Sequence, residues 1–151
     1  MTKLLFIVLF ILSSISSIGQ NTIDELNGRW ELVSMSDSEM YYNFKKDSLS
    51  FMSPELLAAS ENQIVISNTK QSLSFLKNLS YTFFKQGLLE ISEIDSTKKF
   101  HYYIESINNK TILKYYQKSN IDITEYYITI KNSLLTLLST KDQFTMIFER
   151  K

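Results

Sequence analysis

From residue 79 onward the chain is a succession of short apolar and aromatic runs, each closed by turn-forming residues. The runs are Leu79 to Phe84, Leu88 to Ile94, Lys99 to Ser106, Lys110 to Gln117, Ile121 to Ile130, Ser133 to Ser139 and Gln143 to Arg150. Between them stand Gln86-Gly87, Asp95-Ser96, Asn108-Asn109, Ser119-Asn120, Lys131-Asn132 and Lys141-Asp142, a turn signal every 9 to 13 residues. Such spacing leaves room only for strands joined to antiparallel neighbours, because a parallel crossover needs about a dozen residues or more. With an eighth run at Arg29 to Ser36, the expected fold is all-β: an eight-stranded antiparallel up-and-down barrel.

Alternation within the runs supports closure. Phe100, Tyr102 and Ile104 share one face of their strand, as do Phe144, Met146, Phe148 and Arg150 of the last. The opposite faces carry His101, Tyr103 and Glu105, and Thr145, Ile147 and Glu149, so neither face is cleanly polar. A barrel filled by large side chains, with further apolar groups covered outside, accommodates that mixture. Nine Tyr and ten Phe supply side chains that strands favour, and Leu, Ile, Val and Phe make up about a third of the 151 residues, enough for a packed core.

The segment from Asp37 to Asn78 is too long for an unstructured connection in a compact domain. Ser53-Pro54-Glu55 has the order of a helix start, with a capping hydroxyl, a proline in the first turn and an acid near the positive end. Ile66, Leu73 and Leu76 fit one helical face, although Ile64-Val65-Ile66 reads equally as the start of a strand. A partly helical insert over 37–78 is expected.

Residues 1–19 read as a signal peptide: Lys3, an unbroken apolar run from Leu4 to Leu12, then small and polar residues with Ser17 and Gly19 before the cut. The run is short of the roughly 20 residues of a spanning helix, so no stable membrane span is expected after cleavage. The mature domain is taken as 24–151, exported and either periplasmic or secreted. Export normally accompanies disulfides, yet the chain has no cysteine. That excludes a disulfide framework and thiolate metal sites, and the fold must stand on its core alone. Sixteen basic side chains balance sixteen acidic ones, with no block of like charge, so nucleic acid is not an expected partner.

The first run opens with Leu26-Asn27-Gly28-Arg29-Trp30-Glu31-Leu32, and the last ends in Phe148-Glu149-Arg150. This resembles the Gly-x-Trp opening and the closing arginine of the lipocalins and of bacterial lipocalin-like domains. The resemblance covers the expected mature chain in outline. It departs from common lipocalins in a longer insert after the first strand and in the lack of a cysteine staple. It implies that Gly28, Trp30 and Arg150 form a structural motif, and that the interior binds a small hydrophobic or amphipathic molecule. First and last strands are also neighbours in any closed meander, so the Arg150 guanidinium can lie on the Trp30 indole at one barrel end.

Catalysis is hard to assemble from these residues. His101 is the single histidine, and Gly28 and Gly87 are the only glycines after the leader, which excludes a Gly-rich phosphate loop. No metal-ligand spacing is present, and no cofactor is expected. Asp24 with Glu25, and Glu90 with Glu93, read as solvated charges. The doublets Tyr102-Tyr103, Tyr115-Tyr116 and Tyr126-Tyr127 fall on three successive strands, so one member of each faces inward. The candidate ligand-lining set is Tyr81, Phe83, Tyr102, Tyr116 and Tyr127, an apolar wall with hydroxyl handles. The expected function is a non-enzymatic binder. The alternative is an envelope interaction or structural module with a filled barrel and the insert as contact surface.

Overall fold

A computed structural model describes residues 22–118 and 122–151. The leader, and the turn at Ser119-Asn120, lie outside the described residues. Ten strands form one antiparallel sheet: β1 (Gly28–Ser36), β2 (Met40–Asn43), β3 (Ser48–Phe51), β4 (Ser80–Phe84), β5 (Leu88–Ser92), β6 (Thr97–Ile107), β7 (Lys110–Tyr116), β8 (Thr124–Lys131), β9 (Leu134–Ser139) and β10 (Thr145–Arg150). From β4 to β10 each strand pairs with the next in sequence, and β1 pairs with both β4 and β10. These eight strands close the barrel. Closure leaves no free edge around the ring, which removes the aggregation hazard of an open aromatic-rich sheet.

Local chemistry sets the turns. Asn108 and Asn109 both adopt positive φ (51° and 60°), as do Asn132 and Ser133 (52° and 61°), the conformation that two-residue hairpins need to match strand twist. Gly28 opens β1 at φ +121°; a Cβ there would meet nothing within 4 Å, so the glycine is required by backbone conformation rather than by space.

The insert holds more than helix. Ser53 caps α1 (Pro54–Leu57), accepting from the Leu56 N–H at 3.3 Å, with Pro54 in the first turn. Asn62 caps α2 (Gln63–Leu73), which resolves the helix-or-strand ambiguity at Ile64 to Ile66 in favour of helix. The hairpin of β2 and β3 adds two strands to the eight expected from the sequence. It joins the barrel through a bulge in β1: Leu32 pairs with Phe148 and Ser34 with Ile147, leaving Val33 as the extra residue. Before the bulge β1 pairs with β4, from Gly28 to Glu31; after it, Ser34 to Ser36 pair with β2 instead. The bulge also resets alternation, so that Met35 rather than Ser34 carries the inward sequence Trp30, Leu32 onward.

The core is densest at the end where β1 begins. Leu26, Trp30, Phe83, Leu89, Leu113, Leu135, Leu137 and Phe148 are at most 1% exposed. The helical residues 22–26 close this floor. The Trp30 indole N–H donates to the Leu26 carbonyl at 2.7 Å, and the Arg150 guanidinium lies 4.7 Å from the indole centre while donating to the Glu25 carbonyl. Trp30 and Arg150 are register partners across β1 and β10. Both donors therefore meet carbonyls at the end of one helical turn, groups that a helix cannot satisfy internally.

Candidate functional site

The opposite end of the barrel is not filled. A cavity of about 260 Å³ opens there, walled by Met35, Tyr81, Phe100, Tyr115, Tyr126 and Met146, with Leu76 and Leu79 of the insert's end beside it. Leu73 and Leu76 pack against the barrel core, and a short 3-10 turn, Ser74–Asn78, carries Leu76 to the mouth. Glu93 and Lys98 stand at the rim. The cavity is thus apolar in its walls, phenolic at one side and charged only at its lip.

The phenols form a connected group. Tyr81 and Tyr115 hydroxyls are 3.5 Å apart, and the Tyr126 ring stacks on Tyr115 at 6.2 Å with an interplanar angle of 17°. Tyr81 also lies against Phe148, ring centres 4.8 Å apart, linking the cavity to the packed floor. Burial, first, then the neighbouring phenols, push the Tyr81 and Tyr126 hydroxyls well above the ordinary phenol range. They remain protonated donors throughout the physiological range.

The expected lining residues divide. Tyr81 faces the cavity. Phe83 and Tyr102 point inward but fill the lower barrel: their rings meet edge to face at 5.2 Å, and the Tyr102 hydroxyl donates to the Phe84 carbonyl at 3.0 Å. Tyr116 and Tyr127 are on the outer surface, a correction to their expected inward placement. Tyr116 packs against His101 and Tyr103, and the Lys110 ammonium sits 4.7 Å from the Tyr127 ring centre. Their neighbours Tyr115 and Tyr126 take the inward positions. The signal that separates them was present in the charges: Lys110, Ile112, Lys114 and Tyr116 share one parity, and Glu125, Tyr127, Thr129 and Lys131 another, so each set carries the water-facing ions. Lys114 bridges Glu105 at 2.9 Å and Glu125 at 3.2 Å on that outer face.

Of the acids, Asp24 pairs with Lys85 at 2.7 Å, Glu90 pairs with Lys99 at 3.2 Å, and Glu93 accepts from the Ser96 hydroxyl at 3.4 Å. Among the described residues no group of three or more His, Asp or Glu is placed to hold a metal ion, and no helix is long and apolar enough to cross a membrane.

A second polar cluster fastens the insert. The Tyr42 hydroxyl donates to Asp47 at 2.5 Å, and the Lys70 ammonium of α2 bonds the same carboxylate at 3.1 Å. Burial and then the Asp47 carboxylate raise the Tyr42 phenol to about 12; the Tyr42 hydrogen bond and then Lys70 lower Asp47. The Asp47 contribution to stability is therefore present above the unfolded carboxyl pKa and lost as pH falls through the folded value. The Tyr42 contribution is present below pH about 10 and lost as pH rises toward 12. An ultraviolet titration of tyrosinate should show Tyr42, Tyr81 and Tyr126 still protonated at pH 10, with Tyr102 ionising later than an ordinary phenol. Simultaneous ionisation of all nine tyrosines at the ordinary phenol pKa of about 10 would contradict these placements.

No known family profile and no curated protein matches this sequence. A solved structure does. The chain is similar in fold to a DUF4847 family protein from Bacteroides vulgatus, with a TM-score of 0.55 and 11% identity, over 83% of this chain and 94% of that one. At that identity the likeness concerns the fold alone: a closed eight-stranded antiparallel barrel with a small helix after the first strands.

Proposed function

We propose that this protein is an exported, non-enzymatic binder of a small hydrophobic or amphipathic molecule, held at the barrel mouth, and that its barrel is related to the lipocalins. The observation that carries the reading is the unfilled mouth itself. Its roughly 260 Å³ lies inside the barrel above a layer where Trp30, Phe83 and Phe148 are at most 1% exposed. Sites for drug-sized ligands run from about 300 to 1,000 Å³, so the occupant is small or the insert moves aside to admit a larger one. Three features support export and binding together: the leader-like start, the neutral charge balance, and a lid-like insert whose Leu76 borders the opening.

One observation favours the alternative of a protein-interaction module. Met52, Leu57, Ile64 and Phe75, all in the insert, are 48% to 70% exposed. Tyrosine fluorescence and thermal unfolding with a panel graded in size, from medium-chain fatty acids to retinoids and porphyrins, separate the two readings. A binder shows saturable quenching and a rise in Tm with the smaller members, since a ligand at 100 times its Kd adds about 2.7 kcal/mol. No response to any member would shift the assignment to the interaction module.

A further inference from the structure

We propose that the mouth cavity selects apolar molecules carrying one hydrogen-bond-accepting oxygen, which the tyrosine cluster of Tyr81, Tyr115 and Tyr126 engages. The inference rests on the binder reading and narrows its ligand class. It follows from counting donors. The Tyr81 and Tyr115 hydroxyls can use at most one of their two protons on each other, so one O–H remains for the cavity's contents, with the Tyr126 phenol stacked beside them. The contact between Tyr81 and Tyr115 is long at 3.5 Å, where hydroxyl pairs prefer about 2.7 to 2.8 Å, so little is lost if either turns to a better acceptor. Tyr81 is 4% exposed and cannot direct its hydroxyl to bulk water without moving. Of the remaining lining, Met35, Phe100, Phe144 and Met146 are apolar and accept a flat or flexible hydrocarbon body, while the polar side chains Glu93 and Lys98 stand at the rim, where Ser96 donates to Glu93. A ligand with no acceptor leaves a buried donor unpaired, and a buried unpaired donor is costly.

The raised pKa values of Tyr81 and Tyr126 point the same way, because burial keeps these two phenols protonated and donating rather than anionic acceptors.

The test compares two molecules of nearly equal shape, acetophenone and α-methylstyrene, which differ in a carbonyl oxygen against a methylene. Binding is followed by the carbon-13 methyl signals of methionine: Met35 and Met146 report the cavity, and exposed Met52 serves as the control. Acetophenone should bind roughly 5-fold tighter, the ratio one net hydrogen bond supplies. The preference should vanish in the protein carrying Tyr81→Phe, Tyr115→Phe and Tyr126→Phe together, which keeps all three rings. Equal affinity of the two probes for the unsubstituted protein overturns the selectivity while leaving the binder reading intact, and needs no variant to fold. A preference that survives the triple substitution also overturns it. If neither probe moves the Met35 or Met146 signals, both the selectivity and the binder reading fall.

Discussion

Replacing Trp30 by alanine should destabilise the domain by about 3 to 5 kcal/mol, as large-to-small changes of buried aromatic residues do. Trp30 is fully buried, donates its indole N–H to the Leu26 carbonyl, and supports the Arg150 guanidinium on its ring face. Alanine would leave a void among Leu26, Tyr81 and Phe148 and free the helical turn that plugs the floor. Chemical denaturation followed by circular dichroism measures the loss. A change below about 1 kcal/mol would mean that the floor collapses onto the void without cost, contrary to the dense packing around it.

Arg150→Ala should cost about 1 to 3 kcal/mol, combining a cation–π contact of roughly 0.5 to 2 kcal/mol with a charge-assisted bond to the Glu25 carbonyl. Arg29→Ala is the control. Its side chain is exposed on the opposite face of β1 and pairs with Glu31 at 3.4 Å, a surface bridge worth little. Equal thermal shifts for the two alanine variants would argue against the floor contact. A double-substitution cycle of Arg150→Ala with Trp30→Leu isolates the pair: coupling near 0.5 to 2 kcal/mol assigns the effect to the indole, and zero coupling assigns it to the carbonyl alone.

Conversely, the mouth should tolerate substitution better than the floor, and the division follows from what each end must do. At the floor, paired neighbours on β1, β4 and β10 bring Trp30, Tyr81 and Arg150 side by side. At the mouth, the bulge at Val33 hands β1 from β4 to β2, so β4 no longer pairs with β1 where the insert begins. The cavity lies at that end, between Met35, Tyr81, Tyr115 and Met146.

The strand runs, their antiparallel succession and the Trp30 and Arg150 meeting were all legible in the amino-acid order, because turns spaced 9 to 13 residues apart leave a chain no other route. Ser53 and Pro54 likewise marked the start of α1 through chemistry confined to a single turn. The inward choice within the tyrosine doublets was legible too, through the parity of Lys110, Lys114, Glu125 and Lys131, but only when polar as well as apolar positions are followed. Three features were decided by tertiary structure. The β2–β3 hairpin depends on pairing with the far half of β1, a contact that no local propensity encodes. The bulge that aims Met35 inward adds one residue against β10, and a period-two pattern read along β1 alone gives the opposite face beyond it. Whether the interior is solid or hollow depends on how side chains from eight strands and an insert share one volume. Packing of that kind is a property of the closed barrel, not of any segment of its sequence.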